Sequence, residues 1–325
     1  MSKQTMFRTV TSITAVLALA LCACAQAQQY PVRAVKIIAP FSPGGGSDFI
    51  ARFAAKKLSE KVGQQVYVDN RPGAGGNIGA EVAVKSPPDG YTLLLVAGSY
   101  TVNPSLYKLS FDPVNDITPI AELSQEPFIL AINPQVKANN LREFVALVKA
   151  QPGKLAFASA GSGSITHLAA ELFLETAGMK MIHVPYKGTA PAVTDTVSGN
   201  DQFIVGSVAA TLPQVKAGRL RGLAVSTAKR IGAAPDLPTV AEAGVPGYDI
   251  TLWHGLVGPR GLPRPIVEQL NRDINTAMHS ADAEKVLADD GILPSGGTPE
   301  QFAATIRTDI DRWAKVVKQA NIHVD

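Results

Sequence analysis

Two stretches of the chain share one local pattern, which limits the folds open to it more than any other feature of the sequence. In each stretch an apolar run typical of a β-strand leads through a loop rich in glycine and serine into an amphipathic helix. The first loop covers residues 40–48 (PFSPGGGSD), and the second covers residues 160–164 (AGSGS). Free backbone N–H groups at the start of a helix favour a bound anion. Two such loops facing each other across a cleft predict a site for a small carboxylate or phosphate that needs no charged side chain.

The N-terminal segment predicts export. Lys3 and Arg8 precede an apolar stretch at about residues 10–21, and residues 25–27 (AQA) match the small-residue pattern of a signal cleavage site. We therefore expect residues 1–27 to be a signal peptide and the mature protein to be periplasmic. The apolar stretch is too short to span a bilayer.

Both cysteines, Cys22 and Cys24, lie within this segment. Cleavage after Ala27 leaves no thiol, disulfide or cysteine metal ligand. In the alternative interpretation, residues 21–24 form a loose lipobox and Cys24 becomes a lipidated N-terminus. The net charge of the whole chain is +3, and the sequence has no basic run interleaved with aromatic residues, which argues against nucleic acid as a partner.

Apolar runs alternate with helical patterns almost throughout, which indicates an α/β fold with a mainly parallel sheet. The clearest helix covers residues 48–62 and ends at Gly63. The other predicted helices cover about residues 141–150, 166–177, 190–198, 264–279, 282–290 and 299–320. The predicted strands cover residues 35–39, 66–68, 92–97, 129–132, 182–184, 203–205 and 223–225.

The chain has two candidate crossings between domains, at about residues 124–128 and 248–253. The predicted first domain is then discontinuous (residues 28–126 and 252–325), and the second domain (residues 127–251) is inserted into it. Two strands that cross in opposite directions form a hinge. We therefore expect a ligand to bind in the cleft between the domains, with closure about this hinge.

Six segments along the mature chain form a characteristic set. They are residues 40–45 (PFSPGG), 70–76 (NRPGAGG), 89–93 (DGYTL), 103–107 (NPSLY), 183–188 (HVPYKG) and 241–247 (AEAGVPG). In this order, they resemble the extracytoplasmic solute receptors of tripartite tricarboxylate transporters, the Bug family. The resemblance implies a periplasmic binding protein fold of the type II kind, with two α/β domains and two crossing hinge strands. It also implies a small organic anion as ligand, membrane transporter subunits as partners, no enzymatic activity and no cofactor.

The resemblance also implies where the ligand binds. The predicted contacts lie in the first loop, after the strand at 92–97, in the second loop and after the strand at 203–205. They are Phe41, Ser42, Gly44, Gly45, Ser47, Gly98, Ser99, Tyr100, Ser162, Gly163, Ser164, Thr166, His167, Gly206 and Ser207. Many relatives carry an aspartate where this chain has Gly206, so a ligand ammonium would lack that partner.

We expect the ligand to be a mono-, di- or tricarboxylate, and Phe41 and Tyr100 near the predicted site leave room for an aromatic acid. We expect a monomer without a bound metal. Two other functions stay open at this stage. One is a periplasmic carboxylate sensor that feeds a signalling system, and the other is a secreted dinucleotide-dependent or hydrolytic enzyme that uses the same glycine loops.

The motifs that would support an enzyme are weak. Residues 73–79 (GAGGNIG) look like a dinucleotide loop, but Pro72 and its neighbours are poor strand material, so we interpret the segment as a structural turn. His167 and Glu171 have the spacing of metal ligands, but no third ligand is evident. The other histidines, His183, His254, His279 and His323, are too scattered along the sequence to predict a site. No G-x-S-x-G nucleophile motif occurs, and we predict no catalytic residue.

Overall fold

A mixed β-sheet with packed helices organises the chain in this computed structural model, which describes residues 30–319. From Arg33 onward, these residues form one compact unit. The signal peptide predicted for residues 1–27, with Cys22 and Cys24, lies outside the described residues.

The strands are β1 (Val35–Ala39), β2 (Val66–Asn70), β3 (Thr92–Ala97), β4 (Ile117–Ile132), β5 (Ala156–Ser159), β6 (Ile182–Pro185), β7 (Phe203–Ser207), β8 (Arg221–Val225), β9 (Thr251–Pro259) and β10 (Leu293–Pro294). The helices are α1 (Gly46–Val62), α2 (Asn77–Val84), α3 (Gly98–Val102), α4 (Leu141–Ala150), α5 (Ile165–Ala177), α6 (Thr189–Ser198), α7 (Val208–Lys216), α8 (Arg264–Met278), α9 (Ala281–Asp289) and α10 (Pro299–Gln319). The α/β pattern expected from the sequence is confirmed, but the expectation of a mainly parallel sheet is wrong, because β4 and β9 pair antiparallel with their neighbours. The sequence patterns missed the short helices α2, α3 and α7.

Strand β4 connects two parts of the sheet, whose order is β2-β1-β3-β9-β4-β7-β5-β6. Residues 117–127 of β4 pair with β9, whereas residues 128–132 pair with β7 and β8. We call the part built on β1, β2, β3, β9, β10 and the start of β4 the first lobe. The part built on the end of β4 and on β5, β6, β7 and β8 is the second lobe. These pairings agree with the predicted domain boundaries, which stay a prediction.

Strand direction brings the functional loops to one edge in each lobe. Strands β1 and β3 are parallel neighbours in the first lobe, and β5 and β7 are parallel neighbours in the second. The carboxyl ends of parallel neighbours meet at the same edge, and ligands of α/β sheets bind in the crevice beyond such ends. The segments after Ala39, Ala97, Ser159 and Ser207 therefore lie where a ligand is expected.

Apolar faces at helical spacing attach the helices to the sheet. In α1, Ile50, Ala54 and Leu58 are fully buried, and the helix ends at Gly63, which adopts the left-handed conformation with φ of 68°. The apolar stripe of α10 is also buried, with Phe302 against the indole of Trp253 at a ring-centroid distance of 5.6 Å.

Candidate functional site

The loops that follow β1 and β5 meet at one cavity, in agreement with their predicted position on opposite sides of a cleft. The cavity has a volume of about 20 Å³, which is enough for about one water molecule. The structure is therefore closed around the site, and a larger ligand requires the lobes to separate. The lining residues are Phe41, Gly45, Gly46, Ser47, Ala97, Ala160, Ser164, Ile165, Thr166, Thr189, Ser207 and Leu252.

The N-termini of four helices of at least eight residues converge on this cavity. The cavity is lined by Gly46 and Ser47 at the start of α1, by Ser164 at the N-cap of α5, by Thr189 at the start of α6, and by Ser207 before α7. The first N–H groups of a helix have no partner inside the helix, and they carry the positive end of its dipole. The lining contains several hydroxyl groups and no charged side chain. The arrangement suits an anion that is bound by dipoles alone.

Hydrogen bonds between the lobes hold the cleft closed. The Gly46 amide donates to Ser207 Oγ at 3.2 Å, and the amide and hydroxyl of Ser42 both donate to the Lys187 carbonyl, at 2.9 and 2.8 Å. The Tyr107 hydroxyl donates to the Ser162 carbonyl. A ligand that enters between the lobes has to replace at least the contact between Gly46 and Ser207, because both residues line the cavity.

The side chains of the second loop hold its backbone in shape. Ser164 Oγ accepts a hydrogen bond from the amide of His167 at 3.3 Å and caps α5. Thr166 Oγ1 accepts from the Ala160 amide at 2.8 Å, and His167 Nδ1 accepts from the Gly163 amide at 3.1 Å. The loop that faces the cleft is therefore ordered before any ligand binds.

Two imidazoles lie together behind this loop, although 16 positions separate them in the sequence. The rings of His167 and His183 stack with centroids 3.8 Å apart, because the pairing of β5 with β6 places His183 beside Phe157. His183 Nε2 lies 2.6 Å from Ser159 Oγ. Burial, together with the neighbouring His167, lowers the pKa of His183 to about 3. His183 is therefore neutral at ordinary pH and supports the loop as an uncharged group.

A second histidine contact lies behind α1. His254 Nε2 is 3.1 Å from Ser47 Oγ, and His254 Nδ1 is 3.7 Å from a carboxyl oxygen of Glu126. Serine, imidazole and carboxyl occur in this order in hydrolases. However, burial lowers the pKa of His254 to about 3, which makes the imidazole a poor general base. No local sequence pattern predicts this contact, because its members come from α1, β4 and β9.

The structure places the predicted ligand contacts in two groups. Phe41, Gly45, Ser47, Ser164, Thr166 and Ser207 line the cavity, whereas Ser42, Gly44, Gly98, Ser99, Tyr100, Ser162, Gly163, His167 and Gly206 lie outside its lining. Tyr100 donates its hydroxyl to the Pro113 carbonyl at 3.0 Å and stacks on Phe111. It therefore packs within the first lobe, and Phe41 is the aromatic side chain at the cavity.

Asp48 lies outside the cavity lining and holds the first loop in place. Asp48 accepts hydrogen bonds from the Gly44 amide, from Arg52 and from Asn70. Burial raises the pKa of Asp48, but these hydrogen bonds outweigh it and the pKa is lowered overall. This carboxylate is therefore bound to its own loop, as expected for a first-turn residue.

The cavity also has lining residues that are not among the predicted ligand contacts. These are Gly46, Ala97, Ala160, Ile165, Thr189 and Leu252. Thr189 follows the family segment at residues 183–188 and begins α6, so a helix start beside a matched segment was the signal that could have identified it.

The glycine-rich segment at residues 73–79 forms a tight turn followed by α2. Gly73, Gly75 and Gly76 have positive φ, and a Cβ on Gly79 would lie 3.0 Å from the Arg71 carbonyl and from Pro40. The packing agrees with the structural interpretation of this motif. Within residues 30–319, no cluster of three or more His, Cys, Asp or Glu side chains is arranged for a metal ion. None of the helices in this part of the chain has the length and apolar composition to cross a membrane.

The sequence matches the family model described as tripartite tricarboxylate transporter family receptor over residues 50–322. The structure is also similar to solved structures. One is Rpa4515 from R. palustris with adipate, which is 35% identical with a TM-score of 0.88 and covers 90% of this chain and 99% of that one.

Two further solved structures are similar to this chain. The periplasmic binding protein BugD is 31% identical with a TM-score of 0.87, and the match covers 90% of this chain and 99% of BugD. MatC from Rhodopseudomonas palustris with bound malate is 31% identical with a TM-score of 0.84, and the match covers 89% of this chain and 100% of MatC.

Proposed function

Because this chain belongs to the tripartite tricarboxylate transporter receptor family, we propose that its closing cleft captures a small organic dicarboxylate and delivers it to a membrane transporter. The protein has the α/β fold of periplasmic binding proteins, and it is a solute-binding protein rather than an enzyme. The family is periplasmic, and export through the signal peptide predicted for residues 1–27 is part of the proposal.

One observation carries the choice of an anion. The N-termini of α1, α5, α6 and α7 converge on a cavity whose lining has hydroxyl groups but no charged side chain. A charge-assisted hydrogen bond contributes about 1.5–3 kcal/mol, and a helix N-terminus about 0.3–1 kcal/mol. Four or five such contacts, less the cost of association, reach the roughly −8 kcal/mol of a micromolar complex.

The two-sided arrangement favours two carboxylates over one. The start of α1 belongs to the first lobe, and the starts of α5, α6 and α7 belong to the second, so each lobe offers its own donors to an anionic group. The related proteins Rpa4515 and MatC have been solved with adipate and malate, which are both dicarboxylates. Monocarboxylates and tricarboxylates are the alternatives, and Phe41 is the residue that an aromatic acid would contact.

Ligand uptake requires opening and closure in this proposal. The cavity of about 20 Å³ is too small for adipate or malate, so the contacts of Gly46 with Ser207 and of Ser42 with Lys187 have to break first. Closure then brings both sets of helix N-termini to the ligand. We propose that the chain works as a monomer, since both loops come from one chain.

A thermal-shift screen of organic acids tests the anion assignment. A ligand at about 100 times its Kd stabilises the folded state by about 2.7 kcal/mol. We expect adipate, malate or another dicarboxylate to raise Tm, while the uncharged analogues hexanediol and dimethyl adipate leave Tm unchanged. Titration calorimetry then gives the Kd, and X-ray scattering should show a smaller radius with the ligand. A shift with sugars or cations and with no carboxylate would refute the proposal.

A further inference from the structure

Glu126 is a buried acid without an ordinary partner. It lies near the end of the β4 segment that pairs with β9, and its side chain has no exposed surface. Among the described residues, neither of its carboxyl oxygens accepts a hydrogen bond of normal geometry, although the Ala209 amide at the start of α7 is close enough to favour the ionised form. An ionised carboxylate in such a place is costly, and the group then keeps its proton instead.

The carboxyl group lies directly behind the start of α1. A Cβ on Gly46, which lines the cavity, would be 2.8 Å from Glu126 Oε1. The same Glu126 oxygen is 3.7 Å from His254 Nδ1, and His254 Nε2 is 3.1 Å from the hydroxyl of Ser47. Ser47 lines the cavity, so a continuous line of polar groups runs from the buried acid to the binding site.

We propose that Glu126 and His254 set the direction of the Ser47 hydrogen bond, so that Ser47 donates to the bound carboxylate only while Glu126 holds a proton. This inference rests on the proposed function, because the acceptor is the carboxylate in the cleft. Glu126 and His254 act as positioning residues for Ser47.

A neutral imidazole carries one ring proton, and the nitrogen that holds it links the charge of Glu126 to the hydrogen bond of Ser47. When Glu126 is protonated, no negative charge draws the ring proton toward His254 Nδ1, which is free to accept from the Ser124 hydroxyl 3.4 Å away. The ring proton then lies on Nε2 and is donated to Ser47 Oγ, which leaves the Ser47 hydroxyl proton for the ligand. When Glu126 is ionised, it draws the ring proton to Nδ1. Nε2 then accepts from Ser47, and Ser47 presents only lone pairs to an anion.

The charges around Glu126 favour the protonated form. Burial raises the pKa of Glu126 to about 8, with a further contribution from the negative charge of Asp290 at the end of α9, and the Ala209 amide opposes the shift. Burial raises the pKa of Asp290 itself, and Lys216 of α7 opposes that shift. On α1, the Asp48 carboxylate is engaged by Gly44, Arg52 and Asn70. His254 of β9 is neutral, since burial lowers its pKa to about 3.

The first test needs no ligand. Infrared spectra of the ligand-free protein between about pH 6 and pH 10 detect protonated carboxyl groups, and ordinary carboxyls are ionised over this whole range. We expect a carboxylic acid band that disappears near pH 8 in the wild type and is absent in Glu126→Gln. Glu122→Gln is the matched control on the same strand, where Ser295 and Gln125 donate to Glu122, and it should keep the band. A wild type without this band at pH 7 overturns the inference.

The second test measures the Kd of adipate by calorimetry over the same pH range. In the wild type and in Glu122→Gln, affinity should fall by up to about tenfold per pH unit above about pH 8. Glu126→Gln has an uncharged side chain, so its affinity should not change with pH. Equal pH dependence in Glu126→Gln and the wild type would overturn the inference.

Ser47→Ala separates hydrogen-bond direction from simple charge repulsion. We expect weaker adipate binding at pH 7 and a much smaller pH dependence than in the wild type. An unchanged pH dependence in Ser47→Ala would show that Ser47 is not part of the coupling. If no dicarboxylate binds any variant at any pH, the proposed function fails, while the infrared test still decides whether Glu126 holds a proton.

Discussion

The backbone amide of Gly46 donates a hydrogen bond to Ser207 Oγ at 3.2 Å, and this contact joins the first turn of α1 in the first lobe to the residue that precedes α7 in the second. Both residues line the cavity between the lobes. The closed cleft therefore uses, for its own closure, a donor that a carboxylate ligand would also use. Ligand binding exchanges one acceptor for another at this amide, so this donor alone contributes little net free energy to binding.

The close approach at Gly46 predicts that a single methyl group prevents closure. A Cβ at this position would lie 2.8 Å from Ser207 and from Glu126, so Gly46→Ala should hold the lobes apart. We expect dicarboxylate affinity to fall at least about tenfold, which corresponds to about 1.4 kcal/mol. Gly45→Ala is the matched comparison, because its Cβ would lie 3.6 Å from Thr189, an ordinary contact. Calorimetry should show a several-fold smaller loss for Gly45→Ala, and equal losses would contradict the role of Gly46 in closure.

The N-cap of α5 links stability to binding. Ser164→Ala removes the acceptor for the His167 amide and a hydroxyl of the cavity, so we expect a loss of about 1 kcal/mol in the free energy of unfolding and weaker ligand binding. Asn140→Ala removes the N-cap of α4, where Asn140 accepts from the Glu143 amide at 2.9 Å, and Asn140 does not line the cavity. Urea unfolding should show similar losses for both variants, whereas only Ser164→Ala should change the Kd. A normal Kd in Ser164→Ala would remove Ser164 from the site.

Two buried histidines predict a loss of stability in acid. Burial lowers the pKa of His183 and of His254 to about 3, whereas an unfolded histidine titrates near 6.5. Between these values the unfolded state binds more protons than the folded state, so the free energy of unfolding decreases as pH falls below about 6.5. Each histidine contributes at most about 1.4 kcal/mol per pH unit. Urea unfolding between about pH 7 and pH 4.5 should show this slope, with a shallower slope in His183→Gln. Identical slopes would show that His183 titrates normally.

The position of Gly206 predicts a coupled pair of substitutions. A Cβ there would lie 2.2 Å from Thr211 Oγ1, a buried hydroxyl without a hydrogen-bond partner among the described residues. Gly206→Asp alone should therefore destabilise the protein by about 1–3 kcal/mol through overpacking. Combined with Thr211→Ala, the aspartate has room. Its Cβ would lie 3.4 Å from Thr189, which lines the cavity, so we expect its carboxylate to reach a ligand ammonium. Thermal-shift assays with aspartate and glutamate should show binding only in the double variant. Normal stability of Gly206→Asp would mean that Thr211 moves freely.

Local sequence patterns predicted most of the framework. The apolar spacing of α1 and its stop at Gly63 depend on residues within a few turns of each other, so they can be recognised without a structure. The two glycine-serine loops were recognised for the same reason. Helix α7 was missed because Pro213 lies within it and no polar stretch separates it from the preceding strand.

The sequence by itself determined an α/β chain in which two loops rich in glycine and serine each connect a strand to a helix, because strand, loop and helix signals are local. Only the tertiary structure decided which residues in and beside those loops face the cavity and which hold the loop backbone, as His167 does through the Gly163 amide. It also placed His254 beside Ser47, although 207 positions separate them in the sequence. That contact depends on β9 lying between β3 and β4, where His254 pairs with Ala97 and Ser124. Strand register of this kind is fixed by packing over the whole sheet, and no short segment of the chain contains it.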